Sequence, residues 1–273
     1  MSPFDLTTLA ALKAWLGLPP AAGPNDATLG ALITAASRSI YAALSRPALT
    51  PQSYSETIDL ETSRVTLRQW PVLQVNSVLW RGIAVPADQN ADIEASVGYV
   101  LQPADTAPPG RPQAIDLIGS SYRPGRQSLV VFYKAGYAAQ GETQTVPSSA
   151  PLQLAAFAPY GPWAFDFGVV YAATGVALSP VAAAPGAGQY AVSSGFYTFS
   201  AADAGHAVLL SYGYVPQDVA QAALELAAER FRASERIGLR SKSVGGQETI
   251  SYDVSAVSAP VLAMLQPYRR VAL

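Results

Sequence analysis

Hydrophobic residues recur at helical spacing near both ends of the chain and at strand spacing between them. Leu6, Leu9, Leu12, Trp15 and Leu16 fall on one helical face, and Gly17, Pro19 and Pro20 stop it. Leu29, Leu32, Ile33, Ala36, Ile40 and Leu44 make a second stripe, with Asn25 or Asp26 as the expected N-cap and Pro47 as the stop. After Pro51 the text changes to "YSETIDLETSRVTLRQWPVLQVNSVLW", rich in Thr, Val, Ile and aromatics, which predicts strands. Pro71 marks a strand start or edge there. "QAIDLI" predicts a further strand. "SLVVFYKAGY" is apolar on both faces and predicts a central one.

Residues 138–150, "AAQGETQTVPSSA", are small and polar and predict a linker. A second β unit follows in "GVVYAATGVALSPV" and "GQYAVSSGFYTFSAADAGHAVLLSYGY". Its last strand ends as "SLVVFYKAGY" does, in an aromatic, a Gly and a Tyr. Helical spacing returns after Pro216. Ala220, Leu224, Ala227 and Phe231 line one face, flanked by Val219, Ala223 and Leu226, and Gly238 is the expected end. "KSVGGQETISYDVS" predicts a Gly hinge and an extended segment, and Ser258 and Pro260 open a last helix that Pro267 stops. The pattern therefore predicts an α+β chain in four parts. These are N-terminal helices (1–50), a β unit (51–137), an inserted β-rich module (138–213), and a C-terminal helix with an arm (214–273).

Composition narrows the function classes. Half of the 273 residues are hydrophobic, only 13% are charged, and the net charge is −2. A surface so poor in charge predicts cover by neighbouring copies, and a near-neutral chain is not expected to coat nucleic acid or an anionic membrane. No cysteine is present, so neither disulfides nor thiolate chemistry are expected. No run of about eighteen apolar residues is read along the chain, and "MSPFDLTTLAALKAWL" lacks a basic leader, so no membrane partner is expected.

Catalytic groupings are scarce. His206, in the turn "ADAGHAV", is the only histidine and reads as a solvated side chain. One His without Cys leaves no transition-metal cluster. Asp59 with Glu61 and Asp92 with Glu94 lack a calcium-type loop. "GAGQYA" precedes a strand instead of opening a helix, so it is not a dinucleotide fingerprint. No enzyme activity, metal or cofactor is expected. Arg230, Arg232, Arg236, Arg240 and Lys242 cluster at the end of the long helix, either as a solvated face at a helix C-terminus or as a contact to an acidic partner or passing DNA.

The segments "LKAWLGL", "NDATLGALITAASRSIYAALSRP", "LRQWPVLQVNSVLWRG", "VPQDVAQAALELAAERFRASERIGLRSKSVGGQETISYDV" and "LQPYRRVAL", in this order and spacing, resemble the head–tail connector (adaptor) proteins of tailed bacteriophages and gene transfer agents. The likeness covers most of 5–137 and 214–270. Residues 138–213 depart from the compact members and resemble small β modules of phage virion proteins. The resemblance implies a structural protein, assembled in the host cytoplasm and located in the virion neck. It implies a ring, usually of twelve copies, between the portal and a stopper or tail-completion protein, with genomic DNA only in transit. On that reading Ile250, Tyr252, Tyr268, Arg269 and Arg270 dock on the portal, and Ala222 and Ala228 face neighbouring subunits. The alternative is a ligand- or glycan-binding β-sandwich with helical anchors, whose platform would be Trp163, Phe165, Phe167, Tyr171, Tyr190, Phe196, Tyr197 and Phe199.

Overall fold

The computed structural model describes residues 4–87, 97–103, 107–119, 122–233, 241–244, 248–251 and 257–270. Two compact units emerge, one of residues 1–48 with 217–273 and one of residues 49–216.

The first unit is helical. α1 (Leu9–Leu16) starts where Thr8 Oγ1 accepts Ala11 N–H at 3.1 Å, and it stops at Gly17, whose φ of 69° is the left-handed conformation that glycine adopts at least cost. α2 (Asp26–Leu44) has Asn25 at its N-cap without a side-chain cap bond. Asp26 is engaged elsewhere: Lys13 of α1 is buried, and its Nζ lies 2.7 Å from Asp26 Oδ1 and donates to Oδ2 at 2.9 Å. That ammonium, with Gly23 N–H, holds the Asp26 carboxyl below its ordinary pKa. The ion pair ties the start of α2 to α1. α3 (Gln217–Ala233) packs on α1 and α2, and α4 (Ala259–Leu265) packs on α2 and α3.

The second unit contains two β parts. In the first, β1 (Gln52–Leu60), β7 (Gly125–Ala135), β3 (Val72–Trp80) and β4 (Ile83–Val85) form an antiparallel sheet in that order, and β2 (Arg64–Thr66), β6 (Ala114–Ile118) and β5 (Gly98–Gln102) form another. Leu60, Val65, Leu67, Val78, Ile115, Leu129, Val131 and Tyr133 from both sheets share one core. β7 is central, yet only one of its faces is buried. Leu129, Val131, Tyr133 and Ala135 point into the core, while Phe132 on the other face is exposed.

In the second part, β8 (Ala138–Thr145), β14 (Ala207–Tyr214) and β10 (Trp163–Tyr171) form a three-stranded sheet centred on β14. β9 (Gln153–Ala155), β13 (Phe196–Phe199), β12 (Gln189–Ser193) and β11 (Ser179–Pro180) form the other, and Val146, Val169, Tyr190, Tyr197, Phe199, Val208, Leu210 and Tyr212 pack together. The expected linker at 138–150 is corrected here. Ala138 to Thr145 pair antiparallel with β14 from Gly213 to Ala207. An edge strand with one wet face needs few apolar residues, which is why its composition reads as loop.

The two similar strand endings meet. Tyr214 N–H donates to Tyr137 O at 3.2 Å, and the two rings lie 6.0 Å apart. Residues 138–213 thus leave and rejoin the chain at one point. The glycine in each ending makes room for a close approach. A Cβ on Gly136, whose φ is 143°, would lie 2.4 Å from Pro51 N, and one on Gly213 would lie 2.4 Å from the Phe165 ring. Lys134 Nζ also sits 3.9 Å from the centre of the Phe167 ring, a cation–π contact joining the two β parts.

These two glycines respond differently to a methyl group. Gly136→Ala meets backbone and a φ unsuited to L residues, so it is expected to cost about 3 kcal/mol or more. Gly213→Ala meets a ring that can shift, and is expected to cost about 1–3 kcal/mol. Urea unfolding of both variants checks the order, and equal stability for wild type and Gly136→Ala would contradict it.

Candidate functional site

The structure distributes the residues singled out by sequence. Tyr268 is buried, and its Oη donates to Asp218 Oδ2 at 3.2 Å on α3. It packs in its own subunit, which corrects its reading as a docking side chain. The neighbouring contacts repeat the lesson: Ser258 Oγ donates to Glu229 Oε1 at 3.0 Å, and Arg270 N–H to Leu44 O, the last carbonyl of α2, at 2.9 Å. Residues 257–270 are therefore folded back onto the helices, because Val261, Leu265 and Tyr268 supply a buried face. Arg269 borders a cavity of about 250 Å³ with Ala43, Leu262, Leu265 and Gln266.

Ala222 and Ala228 are buried within the chain, so they are not a free face for a neighbour, which corrects that expectation. Small residues on a tightly packed helix sit inside as readily as at an interface. Arg230 Nη2 donates to Ser39 Oγ at 2.7 Å and burial lowers its pKa, whereas Arg232 is exposed. Lys242 and Ile250 are opposite one another in a two-stranded hairpin of β15 (Ser241–Val244) and β16 (Glu248–Ser251). The "ETIS" segment pairs within its own chain instead of lying extended alone. Arg236, Arg240, Tyr252, Gly238, Asp92 and Glu94 lie outside the described residues. His206 is exposed, with its ring 5.6 Å from that of Tyr171. Among the described residues, no group of three or more His, Asp or Glu is placed to hold a metal ion. Of the proposed aromatic platform, Tyr190, Tyr197 and Phe199 are buried in the module core, and Phe196 is exposed.

What brings polar groups together is a set of tyrosine–carboxylate ties. Residues 138–213 contain no Lys or Arg, and their acids are Glu142, Asp166 and Asp203. Tyr190 Oη donates to Asp166 Oδ2, while Tyr197 Oη donates to Asp166 Oδ1 at 3.0 Å. Gly168 N–H also donates to that Oδ1 at 3.0 Å, and Trp163 Nε1 donates to Tyr197 Oη at 3.2 Å. Tyr212 Oη donates to Glu142, whose Oε1 accepts Phe157 N–H at 2.9 Å. Tyr171 Oη donates to buried Asp203 at 2.5 Å, joined by Gly188 N–H at 3.2 Å. The first β part repeats the device, with Tyr133 Oη donating to Glu56 while accepting Gln69 N–H at 3.1 Å. Each phenol is kept neutral. The Asp203 hydrogen bond, with some burial, pushes Tyr171 up to about 12. Burial first, then the carboxylates, pushes Tyr133, Tyr190 and Tyr212 well above the usual tyrosine value.

Sequence reasoning missed these ties. The available signal was three acids without a basic partner in a tyrosine-rich stretch. A second missed feature is α2. Its mean hydropathy is 1.2, and by length and composition it is the one helix among the described residues apolar enough to cross a membrane. It is not an unbroken apolar run, since Thr28, Thr34, Ser37, Arg38 and Ser39 interrupt it. Only 33% of its most apolar stretch is buried, and Ala27, Ala31, Ala35 and Ala42 form an exposed stripe interrupted by Arg38.

No protein-family model matches the chain, and no curated protein matches it. Among solved structures, a chain from the neck of an empty gene transfer agent particle, computed with C6 symmetry, aligns at TM-score 0.37 and 14% identity, over 100% of this chain and 94% of that one. A similarity of this size fixes neither fold nor function.

The ties set a pH response. A phenol whose folded pKa exceeds its unfolded value of about 10 leaves the folded state with more bound protons above that pH, so stability falls as pH rises. The contribution is intact below pH 10 and, for Tyr171, is lost on passing about 12. Absorbance titration at 295 nm is expected to show exposed tyrosines ionising near 10. Tyr133, Tyr171, Tyr190 and Tyr212 would ionise later, together with loss of the circular dichroism signal. Complete titration near pH 10 in a still-folded protein would contradict this.

Proposed function

We propose that the chain is a structural protein of the neck of a phage-like particle, a head–tail connector that closes into a ring. One observation carries this reading. The helical segments that resemble connectors lie at the two ends of the chain, on either side of residues 49–216, yet they fold together as one unit. A chain whose two ends must cooperate is suited to presenting one rigid helical surface per copy. Its partners would be other copies, usually twelve in such rings, a portal on one side and a stopper or tail-completion protein on the other. Near-neutral charge suits a channel for DNA, because strongly basic walls would hold the duplex through counterion release. The role is mechanical and involves no catalytic step.

The ring face we assign is α2, in place of Ala222 and Ala228. A helix that is apolar nearly all round belongs in a core or against a neighbour, and α2 has only Asp26 and Arg38 as charged residues. Its exposed alanines would allow a second helix to approach closely. The β15–β16 hairpin would serve the portal contact, since its two strands pair with each other and with no other strand among the described residues. A lone hairpin is marginal in water and gains from a partner edge.

Ala35→Glu is expected to keep the helical circular dichroism signal and the melting temperature, and to abolish rings seen by mass photometry with or without portal. Ala222→Glu is expected to lose about 3 kcal/mol or more of stability, because it buries an unpaired charge. Ring formation by Ala35→Glu at wild-type levels would overturn the assignment of this face.

A further inference from the structure

Residues 156–162 form a loop that holds apolar rings in water. Hydrogen bonds at Phe157, Ala158, Gly161 and Pro162 pin the loop. Phe157 N–H donates to Glu142 Oε1 at 2.9 Å, Ala158 N–H to Tyr212 Oη at 2.8 Å, Gly161 N–H to Ala158 O at 3.3 Å, and Val215 N–H to Pro162 O at 3.0 Å. Despite this anchoring, Phe157 is 76% exposed and Tyr160 50%. Ala156 N–H donates to Gly195 O at 2.9 Å, which brings alongside the turn that carries Phe196, itself 50% exposed. A loop held rigid while its rings face water is costly for a lone subunit and useful at a contact.

We propose that this aromatic face of residues 138–213 is a contact between copies of this chain, a reading that rests on the self-assembly argued above. Charge selects the occupant. The module has no Lys or Arg, and each of its three acids is already held by tyrosine hydroxyls and backbone N–H groups. A charged partner would leave its own ions unpaired on such a surface, whereas another copy of the module brings none. Few charges and several aromatic anchors also compose the centre of a protein interface. A neutral sugar fits less well, because its hydroxyls need partners and the polar groups beside the rings are spent. Glu142 serves Tyr212 and Phe157, Gln144 Nε2 donates to Ala155 O at 2.8 Å, and Trp163 Nε1 serves Tyr197. A buried hydroxyl left unpaired there would cost affinity.

The chain has no cysteine, so Phe196→Cys carries the only thiol and can be labelled with benzophenone maleimide. Irradiating a mixture of light and isotopically heavy full-length chains is expected to give light–heavy peptide pairs whose second member lies in 138–213. Adding Phe157→Lys is expected to reduce that yield about tenfold. The same label at Ala35→Cys reports the α2 face separately. Capture of another copy from position 35 but not from position 196 overturns the proposal and leaves the ring reading standing. Capture from 196 alone supports the module contact and sinks the α2 face, and capture from neither overturns both. Binding to a neutral-glycan array that disappears in Phe157→Ala would identify a sugar as the occupant and would also overturn the proposal.

Discussion

A carboxylate in a β module without Lys or Arg must be solvated or must find other donors. In this protein the donors are tyrosines. Hydrogen bonds to an ionised acceptor contribute about 1.5–3 kcal/mol each, more than neutral pairs. They also fix geometry. Asp166 on β10 holds Tyr190 of β12 and Tyr197 of β13, which ties one sheet of the module to the other. Asp203 closes the turn between β13 and β14 onto Tyr171 of β10. Glu142 on edge strand β8 holds Tyr212 of β14 and the loop that follows β9. Because the ties engage every acid of the module, they also decide what its surface can meet.

The same economy governs how the module joins the chain. Entry and exit sit side by side at Tyr137 and Tyr214, and a glycine before each tyrosine lets backbone or ring approach where a Cβ would collide. The doubled "aromatic–Gly–Tyr" ending is thus explained by two close approaches at one junction. The cation–π contact between Lys134 and Phe167 adds a second tie between the two β parts. Apolar surface is left exposed at two separate places, the alanine stripe of α2 and the rings of Phe157 and Phe196.

Much of this was legible in the sequence where periodicity and punctuation agree. α1 ends at Gly17 and β3 begins after Pro71, because a left-handed residue or a missing N–H leaves few local choices. The exposure of α2 was not legible. Its apolar stripe reads as a core face, and nothing in the spacing says that the opposite alanines remain uncovered. β8 was read as a linker because an edge strand can be polar throughout. Tyr268 was placed at a partner because its burial depends on Asp218, some fifty residues away. Ala222 and Ala228 show the limit of composition, since small side chains suit an interior and an interface equally. The tyrosine ties could have been suspected from acids lacking cations, but their pairing is set by strand register.

The central claim is that these ties hold the module together and leave its acids engaged. A double-mutant cycle on Glu142 and Tyr212, using Glu142→Gln, Tyr212→Phe and the double variant in urea unfolding, tests it most directly. The account predicts a coupling energy of about 1–3 kcal/mol, with the double variant less destabilised than the sum of the single ones. Additive losses, with no coupling beyond experimental error, would contradict it.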